Sequence, residues 1–213
     1  MIEFKDVSFT YDSGNKNAGI YNINLNINAG EVVVFCGESG CGKTTISRLI
    51  NGLIPGYYSG NLTGSVIVNE HEISKNSINE LSQYVGSVFQ NPRTQFFNVD
   101  STSEIAFACE NFGISREEIC KRIGKVTKEL NIKDLLDKSL FSMSGGEKQR
   151  ITIARQLMFE PEVLLLDEST SALDTHNKER VEDIIFKMAE EGIAILWITH
   201  SDDQSMRHFQ KRM

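Results

Sequence analysis

The chain has 213 residues, of which 40% are hydrophobic and 24% charged, a composition that suffices for one sizeable core. Its 29 Asp and Glu outnumber its 22 Lys and Arg, and the formal charge of -7, without a basic run, argues against a nucleic-acid partner. The apolar runs are too short for a membrane span, which takes about 20 residues. The N-terminus lacks a signal-peptide pattern, so we expect a single soluble domain.

Seven segments have the apolar patterns of β-strands. Alternating apolar and polar residues predict half-buried antiparallel strands at 3–9, 21–28 and 65–69. Continuous apolar runs, typical of strands buried on both faces, occupy 32–36, 84–89, 162–167 and 194–199. Helical sequence lies near the later runs, and the alternation of the two patterns predicts a mostly parallel α/β core with an N-terminal antiparallel β subdomain.

The periodicity becomes helical between residues 91 and 142. Helices are predicted at 103–111, 116–130 and 133–136. We interpret 91–142 as a helical subdomain inserted into a core formed by 1–90 and 143–213. The four cysteines, at positions 36, 41, 109 and 120, have no paired metal spacing and are typical of reduced thiols in a cytosolic protein.

The stretch "GESGCGKTT" follows the first buried strand and opens the helical sequence "KTTISRLINGL". Glycines at this position let backbone N–H groups point at phosphate oxygens, and the helix N-terminus adds its positive dipole end. We therefore predict a P-loop that binds nucleotide phosphates, in preference to an ordinary glycine-rich turn. Its binding residues are Gly37, Glu38, Ser39, Gly40, Cys41, Gly42, Lys43, Thr44 and Thr45, with Lys43 on the phosphates and Thr44 on Mg²⁺.

Two later strands end in polar residues that suit a phosphate site. The run "VLLLDE" ends in Asp167, predicted to hold Mg²⁺, and Glu168, predicted to polarise the attacking water. "AILWITH" ends in His200, which can donate to the γ-phosphate. The alternatives are two solvated acids that close a strand and a structural histidine.

The segment "SMSGGEKQR" carries a second signal. Ser144 and Glu147 are spaced as a capping box, so the segment predicts a helix N-terminus with Gly145 and Gly146 in its first turn. Such an end is a second anion site, because its N–H groups are unpaired and its side chains are small. If the second helix end of each chain completes the P-loop of a partner chain, the nucleotide lies between the two chains. The segment therefore predicts a nucleotide-bridged dimer.

In order and spacing these motifs resemble those of ATP-binding cassette (ABC) ATPases over nearly the whole chain. By this resemblance 37–44 is Walker A, 144–147 the signature, 163–167 Walker B, and "SALD" at 171–174, which ends in Asp174, the D-loop. The resemblance further implies that Tyr11 stacks on adenine, with an ordinary strand tyrosine as the alternative, and that Gln90 is a Q-loop residue near metal or attacking water. Met143 and Glu147 depart mildly from the usual signature residues, Leu and Gln.

Within the family, "LIPGYYSGNLTGSV" and "FQNPRTQFFNVDSTSEIAFACEN" are similar to ATPase subunits of energy-coupling factor importers, whereas the last third is closer to other short cassettes. The resemblance implies transmembrane transporter subunits, a second cassette as homo- or heterodimer partner, and a peripheral location on the cytoplasmic face of the cell membrane. A soluble ABC ATPase of DNA repair, translation or cofactor assembly is the alternative, and a non-catalytic nucleotide sensor conflicts with Glu168 and His200.

Overall fold

The computed structural model describes residues 1–12, 18–89, 91–170, 173–199 and 211–212. Its strands are β1 (Ile2–Tyr11), β2 (Gly19–Ile27), β3 (Val32–Cys36), β4 (Gly60–Val68), β5 (His71–Glu72), β6 (Val85–Val88), β7 (Val163–Asp167), β8 (Ala194–Thr199) and β9 (Lys211–Arg212). Its α-helices are α1 (Lys43–Ile50), α2 (Leu53–Gly56), α3 (Ile78–Leu81), α4 (Ser101–Asn111), α5 (Arg116–Glu129), α6 (Gly145–Leu157) and α7 (Thr175–Glu190). Short 3₁₀ turns lie at Pro92–Gln95, Lys133–Leu135 and Leu140–Ser142.

The chain divides into two compact units. Unit 1 comprises Met1–Ser87, Glu162–Asp167 and Met188–Met213, and unit 2 comprises Val88–Pro161 and Glu168–Lys187. The helical segment expected at 91–142 falls inside unit 2. The assignment of 1–90 and 143–213 to a nucleotide-binding core stays a prediction.

An antiparallel sheet with the strand order β2-β1-β4-β5 carries the alternating segments. Along β1 the side chains of Ile2, Phe4, Val7 and Phe9 are buried. The period of two breaks between Phe4 and Val7, where the pairing with β2 shifts register and Asp6 has a positive φ of 49°. The predicted antiparallel strands are therefore confirmed, with an irregularity where the pattern skips a residue.

A second sheet has the strand order β6-β7-β8-β3-β9. Both β3 and β7 pair with β8 in parallel, and their apolar runs are buried along nearly their whole length. Cys36 lies opposite Thr199, and Asp167 lies opposite Ile198. The predicted parallel core is confirmed, and the carboxyl ends of β3 and β7 reach the same edge of the sheet.

One hydrophobic core in unit 1 contains residues from both sheets and from α1. The helix contributes Ile46, Leu49 and Ile50, which recur at the spacing of one helical face. Because α1 packs against the same core as β3, the position of its N-terminus after the loop 37–42 is fixed by burial.

Three helices of unit 2 begin at side-chain caps. Asp100, Ser115 and Ser144 accept hydrogen bonds from backbone N–H groups in the first turns of α4, α5 and α6. The cap at Asp100 starts α4 at Ser101, two residues before the predicted position. The Asp100 cap, and not the apolar periodicity that begins at Ile105, defines this start.

A buried ion pair lies in unit 2. The Arg155 guanidinium donates to Glu104 Oε1 at 2.6 Å and also bonds the Gln95 carbonyl oxygen. The other oxygen of Glu104 accepts the backbone N–H groups of Phe97 and Asn98, each at 2.9 Å. The Glu104 side chain is fully buried and that of Arg155 is 10% exposed, so the pair fixes the segment 95–98 against α6.

Substituting Glu104 with Ala removes a fully buried carboxylate. The Arg155 guanidinium then loses its ion-pair partner, and the N–H groups of Phe97 and Asn98 lose their hydrogen-bond acceptor. Breaking a buried pair on one side costs about 3–5 kcal/mol, so we expect a loss of unfolding free energy of this size in urea denaturation. Glu160→Ala is the matched control, because the Lys125–Glu160 pair has 55% exposure on both sides. A surface pair contributes at most about 1 kcal/mol. Equal losses for the two variants would contradict the structural role of Glu104.

Candidate nucleotide site

The loop between β3 and α1 adopts backbone conformations that favour glycine. Gly40 and Gly42 have φ angles of 86° and 102°. A Cβ atom on Gly42 would lie 2.7 Å from Ile20 Cγ2, whereas a Cβ on Gly40 would meet nothing within 4 Å. The loop is therefore packed tightly under Gly42 and open at Gly40, as a backbone cradle for a ligand requires.

The N-terminus of α1 has no side-chain cap. Its N-cap residue is Gly42, and no side chain accepts a hydrogen bond from the first turn. The first N–H groups of an α-helix have no acceptor within the helix. A helix N-terminus with uncapped N–H groups is a favourable site for an anion such as phosphate.

The ammonium group of Lys43 lies over the loop. Its Nζ donates to the carbonyl oxygens of Gly37 at 2.6 Å and Glu38 at 2.8 Å, and it lies 3.6 Å from Cys41 Sγ. Only 8% of the Lys43 surface is exposed. The lysine thus links the start of the loop to the start of α1 by hydrogen bonds. It also places one positive charge beside the uncapped N-terminus of the helix.

Oxygen ligands of the kind that Mg²⁺ prefers lie at the same sheet edge. Thr44 is exposed in the first turn of α1, and the half-buried Asp167 ends β7. β8 separates β3 from β7, so the two strand ends lie about 10 Å apart at a strand spacing of about 4.8 Å. A hydroxyl, a carboxylate, a lysine and open N–H groups fit a triphosphate with its metal ion.

Tyr11 lies at the end of β1, half-buried against the unit 1 core. Its Oη is 3.1 Å from Thr45 Oγ1 and accepts a hydrogen bond from Arg48 Nη1 at 3.1 Å. Tyr11 is thereby joined to α1 directly after the P-loop. Sequence reasoning did not find Arg48, because a basic residue in the last turn of a helix is ordinary.

Glu168 has a positive φ of 50°, an unusual conformation for a residue other than glycine. It is half-buried and follows Asp167 directly. Backbone outliers of this kind cost on the order of 1–3 kcal/mol and cluster at functional sites. Gln90, His200 and the first two D-loop residues, 171 and 172, lie outside the described residues, so their predicted roles stay predictions.

The predicted capping box at the start of α6 is confirmed. Ser144 Oγ accepts the N–H of Glu147 at 3.3 Å, and Glu147 Oε2 accepts the N–H of Ser144 at 2.7 Å. Gly145 is exposed and Gly146 is buried. Lys148 Nζ bonds the Met143 carbonyl oxygen, which ties the residue before the cap to the first turn of the helix.

A contact within unit 2 joins the signature segment to Asp174. A Cβ on Gly146 would lie 2.5 Å from Asn177 Cγ. Asn177 donates to Asp174 through its backbone N–H at 2.9 Å and through Nδ2 at 2.7 Å. Gly146 thus packs closely on the side chain of Asn177, and Asn177, which sequence reasoning missed, bonds Asp174 at the start of α7.

Hydrogen bonding lowers the pKa of both acids in this part of unit 2. The Ser144 backbone N–H, followed by the Ser144 hydroxyl, lowers the pKa of Glu147. The backbone N–H of Asn177, followed by its side chain, lowers the pKa of Asp174. The stabilisation is complete above the ordinary carboxyl pKa and is lost as the pH falls through the lowered folded value, so both acids are ionised at neutral pH.

The fold and these contacts define a P-loop nucleotide-binding α/β protein. A family model described as ABC transporter matches residues 20–171. The chain therefore belongs to the ABC transporter family of ATP-binding cassettes, which are ATPases. The predicted family and fold class are confirmed.

Known relatives agree with this assignment. Two proteins of Treponema denticola, both assigned as ABC transporter ATP-binding proteins, are 44% identical over 94% of the chain. The chain spans only 41% and 40% of their lengths. A Pyrococcus horikoshii protein with the same assignment is 42% identical over 98% of the chain and 73% of its own length.

Two solved structures share the fold. CbiO1 from Clostridium perfringens, described as part of the ABC transporter complex CbiONQ, has a TM-score of 0.83 at 32% identity, with 94% of this chain and 78% of that chain covered. The cassette MJ0796, described as a dimer in a post-hydrolysis state bound to ADP and phosphate, has a TM-score of 0.76 at 28% identity, with 94% and 88% covered.

Cys41 offers a chemical test of the loop, because its side chain is exposed and lies beside Lys43. We expect a maleimide to label Cys41 and block ATP binding, and we expect bound ATP to protect it because ligand and reagent compete for the loop. Peptide mass spectrometry measures the labelling. Cys120 is also exposed but lies in α5, so its labelling serves as the internal control. Equal labelling of Cys41 with and without ATP would contradict the placement of the site.

Proposed function

We propose that this chain is the ATP-hydrolysing subunit of a membrane transporter. The observation that carries the proposal is the uncapped N-terminus of α1, with Lys43 over its glycine loop, at the sheet edge where Asp167 ends β7. The family assignment supports it, since ABC cassettes bind ATP.

In this proposal the P-loop residues from Gly37 to Thr45 hold the triphosphate. Thr44 and Asp167, together with Gln90, would hold Mg²⁺. Glu168 accepts a proton from the attacking water, and His200 donates to the γ-phosphate. The bound metal supplies charge neutralisation on the phosphates, and the side chains position the water and the leaving group.

We further propose that the signature segment acts on a second cassette. Ser144 to Glu147 would complete the nucleotide site of a partner, with Asp174 beside them, in a homo- or heterodimer. The packing of Gly146 on Asn177, which binds Asp174, supports their action as one surface. The dimeric state described for MJ0796 is a precedent in a relative.

The proposed transmembrane partner binds unit 2 on the segment after Gln90. Phe97 is 72% exposed, and its ring is stacked on Phe107 at 4.8 Å. No helix in the described ranges is long and apolar enough to cross a membrane. By the resemblance to energy-coupling factor subunits and to CbiO1, we propose an importer of that type and a peripheral position on the cytoplasmic face of the membrane.

Glu168→Gln tests the hydrolytic assignment. The amide keeps the size of the side chain but cannot take a proton, so we expect turnover to fall by a factor on the order of 100 or more, while ATP still binds. Trapped ATP should then hold two cassettes together, measured by size-exclusion chromatography with light scattering. If this chain pairs only with a different cassette, that cassette is added. Unchanged turnover would contradict the role of Glu168.

In the Glu168→Gln background, Ser144→Arg tests the signature site. The arginine adds bulk and charge at the helix end, so we expect the dimer to be lost while ATP still binds the monomer. Ser115→Arg is the matched control, because Ser115 is the N-cap of α5 and its loss also costs about 1 kcal/mol. Dimer formation by the Ser144→Arg variant would contradict the proposal of a site shared between cassettes.

Phe97→Ser tests the partner surface. We expect ATP affinity to stay unchanged and co-purification with the transmembrane subunit from solubilised membranes to fall at least tenfold, since a buried aromatic contributes about 1.5–3 kcal/mol at an interface. Tyr21→Ser is the matched control, because Tyr21 is also an exposed aromatic residue, at 53%, but lies in unit 1. Loss of ATP binding with intact assembly would show that Phe97 is a packing residue.

A further inference from the structure

A chain of contacts in unit 1 joins three segments that are distant in sequence. Arg48 donates to the Tyr11 hydroxyl at 3.1 Å, and its guanidinium carbon lies 4.1 Å from the ring centroid of Tyr58. The Tyr11 hydroxyl also contacts Thr45 Oγ1 at 3.1 Å. The contacts therefore connect the end of β1, the helix that follows the P-loop, and the segment that leads into β4.

These contacts hold the Tyr11 side chain from its hydroxyl end. The ring meets Phe9 at 4.8 Å and Tyr58 at 6.2 Å, and both contacts are close to perpendicular, at 83° and 88°. Among the aromatic side chains that the structure describes, neither contact of Tyr11 is a parallel stack. The ring is thus oriented without a stacked aromatic neighbour.

Arg48 is well suited to this task. A planar guanidinium can lie over an aromatic face and donate an in-plane hydrogen bond at the same time, which an ammonium cannot do in the same geometry. Arg48 lies in the last turn of α1, where a positive charge is also favoured by the helix dipole. The helix therefore carries the phosphate-binding residues at its start and the support for Tyr11 at its end.

We propose that Arg48 and Tyr58 are positioning residues for nucleobase recognition, because they hold the Tyr11 ring ready to stack on the base. The inference rests on the proposed function, in which the P-loop binds ATP, and on the stacking of Tyr11 on adenine that the family resemblance implies. It adds that base affinity and phosphate affinity are set by different residues of α1. Thr45 joins the two, because it belongs to the P-loop segment and contacts the Tyr11 hydroxyl.

The test compares ATP with inorganic tripolyphosphate, which has the phosphates but no base, by isothermal titration calorimetry with Mg²⁺ on the full chain. For Arg48→Met we expect ATP affinity to fall about five- to seventyfold, the range for loss of a cation–π contact and one hydrogen bond. Tripolyphosphate affinity should stay unchanged. Tyr58→Ala should show the same split, and Tyr58→Phe, which keeps the ring under Arg48, should bind ATP as the wild type does.

Tyr21→Ala is the matched control, because Tyr21 is a 53% exposed tyrosine of β2. Thermal unfolding of each variant reports whether the fold is intact. Equal losses of ATP and tripolyphosphate affinity in both Arg48→Met and Tyr58→Ala would overturn the inference, since the contacts would then support the P-loop itself. Unchanged ATP affinity in both variants would also overturn it. A wild-type chain that binds neither compound would instead overturn the proposed function and the inference with it.

Discussion

The parallel pairing of β3 and β7 with β8 is the constraint on which the candidate site depends. The register places Cys36 opposite Thr199 and Asp167 opposite Ile198. The start of the P-loop, after β3, and Asp167, at the end of β7, therefore lie at the same sheet edge. A slip of one residue in either pairing would turn buried side chains to the opposite face of the sheet. Because both faces of these strands are buried, the register, and with it the distance across the site, is held by the whole core.

The two helix ends that the sequence singled out differ in their electrostatics. α1 begins at a glycine without a side-chain cap and has Lys43 beside it, so its N–H groups are open to an anion. At α6 the Ser144–Glu147 capping box takes up two donors and places an ionised carboxylate beside them. The first end therefore favours an anion more strongly than the second does.

Local signals made the strands, the P-loop and the capping box predictable. Burial on both faces needs continuous apolar runs, a tight phosphate loop needs glycines, and a capping box needs Ser and Glu three residues apart. The start of β4 at Gly60 was missed because 60–64 contains Gly, Asn and Thr where apolar alternation was sought. Contacts between distant residues were also missed, such as Arg155 with Glu104 and Arg48 with Tyr11, because no periodic pattern connects positions 51 and 37 residues apart.

The ion pair in unit 2 connects the segment 95–98 with α6. Arg155 belongs to α6, the helix that begins at the signature segment, and it bonds Glu104 and the Gln95 carbonyl. Glu104 in turn holds the N–H groups of Phe97 and Asn98.

A second connection joins the same two regions. The Leu140 N–H donates to the Val99 carbonyl oxygen at 2.8 Å, and Asp100 forms an isolated bridge with Ser139, in the stretch that leads to Ser144. The segment of the exposed Phe97 ring and the stretch that leads into α6 are therefore joined by these backbone hydrogen bonds and by the buried Arg155–Glu104 pair. Leaving one member of a buried ion pair without the other costs about 3–5 kcal/mol, so under the proposed partner contact at Phe97 we expect the segment 95–98 and α6 to move together.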